Sequence, residues 1–177
     1  MTKNRKSATK AQIFPKYKGN KIIEEFANSI SKQWARCIEP VQSILQKEGC
    51  RERYSLNSEK ALNLDAVEST LAKVEGRSPN NTVDMVIGCE NKSLLMVEAK
   101  FNVNSIDNIA RKSITDKIRY SRHRICCNEN YSVFPTTIVL LNNNRFEQRK
   151  NSLLRNMNNK SFMVFPMTTS NFLEIVF

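Results

Sequence analysis

Residues 82–101 read TVDMVIGCENKSLLMVEAKF. Two apolar runs flank a short polar turn, Glu90-Asn91-Lys92, so the stretch is expected to form a pair of β-strands. Three charged residues interrupt the apolar pattern: Asp84 in the first run, Glu98 and Lys100 in the second. A charge beside a strand core is costly unless it is paired or holds a cation. Glu98 and Lys100 are two apart, which puts them on one face of a strand. Two carboxylates and an amine on that face are the equipment for metal-assisted hydrolysis of a phosphodiester.

The spacing sets a geometric condition. Opposed residues of an antiparallel hairpin share a face. A three-residue loop pairs Cys89 with Ser93, and counting outward then sets Asp84 opposite Glu98. A two-residue loop at Asn91-Lys92 sets Asp84 against Ala99, on the wrong face. The turn lacks the Asn-Gly or Asp-Gly pair that marks a two-residue hairpin, so the odd count is permitted.

Outward from the hairpin, Ser105–Cys126 reads as a long helix with Ala110, Ile114, Ile118, Ser121 and Ile125 on one side. Arg111, Lys112, Arg119 and Arg122 cluster on an adjacent side, and Lys117 falls on the other flank with Arg124. Six basic residues against one acid between Arg111 and Arg124 point to phosphate contact, although a charge stripe also serves as a solvated face. Phe134–Leu141 is an expected third strand, Arg145–Met157 a basic helix, Ser161–Pro166 a short strand and Asn171–Phe177 a terminal element. On the other side, Ile22, Ile23, Phe26, Ile30 and Trp34 form a helical stripe, interrupted at Pro40 and resumed from Val41 toward Gly49. Leu64, Val67, Leu71 and Val74 mark another helix, stopped by Gly76. The order predicts an α/β domain over residues 21–177, a mixed central β-sheet flanked by helices. Residues 1–20, rich in lysine, are expected to be a flexible basic arm, with order only around Ile13-Phe14-Pro15.

Composition bounds the function. The 177 residues carry 28 basic against 17 acidic side chains, a formal net charge of +11, and a hydrophobic fraction of 40%. That is enough chain for one domain with a core, and the charge favours polyanionic partners such as nucleic acid. Apolar runs fall far short of the ~20 residues a membrane helix needs, and no apolar h-region follows the basic start. Five cysteines without a CxxC pair fit a reduced, cytoplasmic setting. A single histidine, His123, excludes Cys/His zinc sites of the usual spacing. Four glycines leave no phosphate-cradling GxxxxGK or GxGxxG loop, against ATP-driven and dinucleotide chemistry.

Asp84, thirteen residues, then Glu98-Ala99-Lys100 resembles the active-site pattern of the PD-(D/E)XK nuclease superfamily. The carboxylate-x-Lys pattern alone is common. Its placement on two adjoining strands, followed by a helix and a strand, resembles the restriction endonuclease-like αβββαβ core. The resemblance spans about residues 21–166 and is sharp only over 84–100. Val83 stands where that family often has proline, and only two strands are evident before the long helix. An additional strand in 51–56 or 78–81 is expected to supply the third.

The resemblance implies a Mg²⁺- or Mn²⁺-dependent endonuclease, with DNA ahead of RNA as substrate. Asp84, Glu98 and the Ala99 carbonyl would bind the metal, and Lys100 would orient or deprotonate the attacking water. A glutamate on the first core helix often completes such a site; Glu24 and Glu25 are the candidates, Glu25 slightly preferred. Lys117 is the candidate for a polar side chain pointing into the site from the following helix. Arg111, Lys112, Lys117, Arg119 and Arg122 are expected to grip the nucleic-acid backbone. Many relatives act as homodimers. Three alternatives stand beside this reading. One is a nuclease-like module that binds nucleic acid or protein without cutting. Another is an enzyme acting on a different substrate, with Asp84 and Glu98 unrelated to the chemistry. The last is a surface ion-pair cluster worth only ~0–1 kcal/mol per pair.

Overall fold

A computed structural model describes residues 14–56, 58–101, 111–157 and 163–177, without the side chains of residues 111, 112 and 156. The hairpin holds the register that a three-residue turn requires. β3 (Met85–Cys89) pairs antiparallel with β4 (Ser93–Lys100), Cys89 opposite Ser93 and Met85 opposite Val97. The next step outward sets Asp84 against Glu98. Glu90–Lys92 forms a single 3₁₀ turn in which Asn91 and Lys92 take positive φ, 55° and 51°.

Among the described residues, seven strands form one mixed sheet. β1 (Ile38–Pro40), β2 (Lys60–Asn63), β3 and β4 are successively antiparallel. β6 (Thr136–Leu141) then lies parallel to β4, and β7 (Met163–Met167) parallel to β6. The two-residue β5 (Ser132–Val133) also pairs with β4. Four of these strands therefore precede the long helix, and the added neighbour of the hairpin is β2, not 51–56 or 78–81. Its sequence, Lys-Ala-Leu-Asn, is too short to show alternation, and a helix follows it at once. The pairing partner, β3, defines it.

Strand alternation splits the core into two layers. Val86, Leu94 and Met96 face α1 (Lys21–Ile30), α4 (Leu64–Glu75) and α5 (Arg111–Ile125) through Ile23, Phe26, Val67, Ile114 and Ile118. Met85, Ile87, Leu95, Val97 and Ala99 face α3 (Val41–Lys47) and α7 (Thr169–Val176) through Val41, Ile44, Leu45 and Phe172. Covering both faces explains why β3 and β4 are apolar on every side. α6 (Phe146–Met157) packs on β6 and β7.

Two expectations need correction. The stripe from Ile22 to Trp34 is not one helix: Ser31 is extended (φ −169°) and its hydroxyl caps α2 (Lys32–Ala35) by accepting from the Trp34 N–H. Val74, expected on the apolar side of α4, is 70% exposed. Order in the N-terminal arm, expected around Phe14, is seen there and extends to Tyr17. Residues 1–13 lie outside the described residues, but Phe14 is buried against Phe134 and Phe165. The Tyr17 N–H donates to the Val176 carbonyl. Apolar anchors at positions 14 and 17 outweigh the neighbouring lysines. The expected helix residues 105–110 also lie outside the described residues. Among the described residues no helix is long and apolar enough to cross a membrane.

Candidate functional site

Antiparallel pairing brings the start of β3 and the ends of β2 and β4 to one end of the sheet. Asp84, Glu98 and Lys100 meet there, on the α5 side. Asp84 is 3% exposed and Glu98 fully buried. Asp84 Oδ2 accepts the Ala99 N–H at 2.5 Å, so Ala99 contributes through its N–H by fixing Asp84. The Lys100 ammonium pairs with Glu98 Oε1.

Lys117 descends from α5 into the same pocket. Its Nζ lies 3.0 Å from Glu98 Oε1, 3.2 Å from Oε2 and 3.6 Å from Asp84 Oδ1. Ile114 and Ile118 seat α5 on the sheet, and position 117 follows on the edge of that apolar stripe. Burial works against the Lys117 ammonium, but Glu98 and Asp84 outweigh it and hold its pKa above the ordinary lysine range.

Two acids not foreseen from the sequence complete the cluster. One carboxylate oxygen each from Glu48, Asp65 and Asp84 lie within 4.8 Å of one another. Asp65 sits in the first turn of α4, which Asn63 caps by accepting the Ala66 N–H at 2.9 Å. Thr82 donates its hydroxyl to Asp65. Glu48 follows the last turn of α3. Like-charged neighbours and burial leave a mark on Asp84 and on the half-buried Glu48. Burial, then Glu98, push Asp84 up to about 8 against the pull of Lys117. Burial, then Asp65 and Glu98, raise Glu48. No local pattern marks Glu48 or Asp65: each reads as an ordinary helix-end acid, and only the fold brings them to Asp84.

The segment that delivers Asp84 is held from both neighbouring helices. The Val83 N–H donates to Ser121 Oγ of α5 at 2.8 Å. Glu68 of α4, 1% exposed, accepts the Asn80 N–H at 2.8 Å, Asn80 Nδ2 at 3.0 Å, the Tyr120 hydroxyl at 3.0 Å and Arg77. Burial would raise the Glu68 pKa, but bonds from Arg77, Asn80 and Tyr120 reverse that and bring it to about 2.

The glutamates expected from the first core helix are elsewhere. Glu25 lies 3.7 Å from Lys21 in an exposed i,i+4 pair, and Glu24 pairs with Lys60 at 2.9 Å. α1 crosses β3 at Gly88, four residues from Asp84, roughly 13 Å along a strand. Neither Glu25 nor Glu24 joins the acid cluster; the acids beside Asp84 are Glu48 and Asp65. Of the basic residues, Arg119 is exposed and paired with Asp116 at 2.7 Å. Arg122 is half-buried. Its Nη2 donates to the carbonyls of Phe134 and Pro135, both at 3.0 Å, tying α5 to the approach of β6. The side chains of Arg111 and Lys112 lie outside those described.

No family model, curated protein or solved structure matches the chain.

Proposed function

We propose that this chain is a divalent-metal-dependent nuclease on a restriction endonuclease-like fold, cutting the phosphodiester backbone of nucleic acid, DNA ahead of RNA. One observation carries the reading: the end of the sheet brings the buried Asp84 and Glu98 together with the more open Glu48 and Asp65, against two ammoniums among the described residues, Lys100 and Lys117. With all four carboxylates ionised, the two ammoniums leave a formal excess of two negative charges, and Asp84, pushed up to about 8, shows the cost of that crowding. Oxygen donors at this spacing suit a hard cation such as Mg²⁺ or Mn²⁺, and one such ion offsets the excess. A surface ion-pair cluster does not need full burial of Glu98.

Asp84, Asp65 and Glu48 would hold the cation from one side, Glu98 from the strand opposite. A bound divalent ion acidifies water and stabilises charge on the attacked phosphate. The chain's own groups supply the rest. The Ala99 N–H fixes the Asp84 carboxylate, leaving Oδ1 toward the pocket. Lys100, 21% exposed at its side chain, reaches from Glu98 toward solvent, where it can orient the attacking water. Lys117 sits deeper and holds both strand acids in register. The net charge of +11 supplies sequence-independent attraction to a phosphate backbone.

The test is incubation of the purified chain with plasmid and with single- and double-stranded oligonucleotides, in Mg²⁺, Mn²⁺ or EDTA. Cutting that needs metal and is lost in Lys100→Ala is expected. Salt-sensitive binding without cutting in either metal would sink the nuclease and leave a binding module.

A further inference from the structure

A second concave site opens at the same end of the sheet. It is a cavity of about 290 Å³ beyond the carboxyl ends of β4 and β6, floored by Phe101 and Leu141. In open α/β sheets this is where ligands bind, because loops diverge there. Arg51, Arg149, Asn142, Asn143 and Thr169 supply its polar wall, together with Glu52, whose carboxylate takes the Tyr54 hydroxyl. Thr169 opens α7, so the positive end of that helix faces the cavity wall.

The cavity abuts the acid cluster at two peptide bonds. Glu48 of the cluster precedes Gly49 of the wall, and Lys100 precedes Phe101 of the floor. Its volume lies at the small end of ligand pockets, roughly 300–1,000 Å³. That admits one nucleotide unit and excludes a duplex. Guanidinium forks match phosphate oxygens in pairs, and carboxamides such as Asn142 and Asn143 match base edges.

We infer that this cavity binds a single phosphate-bearing nucleotide, its phosphate on Arg51 and Arg149, next to the acid cluster. The inference rests on the nuclease reading for the identity of the ligand. The nucleotide comes either from the end of a strand or from the free pool. In a strand end, the cavity would set which phosphodiester reaches Lys100.

Titration calorimetry in EDTA tests this without any cutting. The probes are a dithymidine dinucleotide with a terminal phosphate at either end, the same dinucleotide with hydroxyl ends, thymidine monophosphate and inorganic phosphate. A phosphorylated dinucleotide is expected to bind ~10-fold or more tighter than its hydroxyl form, the scale of one charge-assisted contact. Arg51→Ala and Arg149→Ala should each bring that ratio toward one, and Lys73→Ala, at an exposed position of α4 outside the cavity, should leave it. Arg51 is exposed, so its variant carries the test even if Arg149→Ala misfolds. Tighter dinucleotide than monophosphate assigns the site to a strand end; equal affinity assigns it to free nucleotide. Equal binding of phosphorylated and hydroxyl forms overturns the inference. So does a ratio unmoved by the arginine variants, or inorganic phosphate binding as tightly as any nucleotide. A chain that shows the preference but never cuts sinks the nuclease alone. One that cuts without the preference sinks the cavity alone.

Discussion

The Lys117 ammonium lies 3.0 Å and 3.2 Å from the two oxygens of Glu98, joining a helix to a fully buried strand acid. This pair is the hinge of the pocket's electrostatics. Lys117→Met removes one of two ammoniums from a cluster of four acids. Breaking one partner of a buried pair costs about 3–5 kcal/mol. Urea unfolding without metal should show a loss of that order for Lys117→Met. A loss under about 0.5 kcal/mol, the size of a surface substitution, would mean that the pair is solvent-screened.

Asp84→Asn should act in the opposite sense. It removes one of the crowded carboxylates and keeps the shape that accepts the Ala99 N–H. In EDTA at neutral pH the variant should melt higher than the parent, by about 2–4 °C per kcal/mol for a chain of this size. Mg²⁺ should raise the melting temperature of the parent and not of the variant, since only a bound ligand shifts the equilibrium. Equal metal responses in differential scanning fluorimetry would remove Asp84 from the metal site.

Glu68 gives a pH signature. Its folded pKa, about 2, lies below the ordinary 4.5. A depressed carboxylate stabilises fully above its unfolded value, and the contribution is lost as pH falls toward the folded one. The window is therefore about pH 4.5 down to 2, and the amount at neutral pH is about 3 kcal/mol. Glu68→Gln should be less stable at pH 7 and should show a shallower acid slope than the parent. Parallel slopes in acid titration of the unfolding free energy would contradict the network around Asn80.

Gly88→Ala tests the crossing of α1 over β3. A Cβ there would stand 2.7 Å from the Ile23 backbone nitrogen and 3.0 Å from Ile22 Cγ2. Backbone cannot yield as a side-chain tip can. Overpacking of this kind costs typically about 1–3 kcal/mol, read as a lower denaturant midpoint.

Glu25→Gln should change neither cutting nor metal response. Its partner Lys21 is 82% exposed at the side chain, and such pairs contribute at most about 0.5 kcal/mol. Loss of metal-dependent activity in this variant, with Glu48→Gln intact, would restore α1 as the source of the fourth acid.

The sequence alone determined the hairpin and everything that follows from local pattern. Three turn residues without Asn-Gly permit the odd count, an odd count sets Asp84 opposite Glu98, and alternation puts Lys100 beside them; the observed register takes that option. The stripe Ile114, Ile118, Ser121, Ile125 likewise dictated how α5 lies and why Lys117 points at the strand acids. These are short-range periodicities, legible because side-chain direction repeats every two or 3.6 residues. Tertiary structure alone decided that Lys60–Asn63 is the strand beside the hairpin, that Tyr17 ties the arm to Val176, and that Glu48 and Asp65 join Asp84 while Glu25 does not. Each of those depends on which distant segments pack together, and an acid at a helix end looks the same in a chain whether it meets water or another carboxylate.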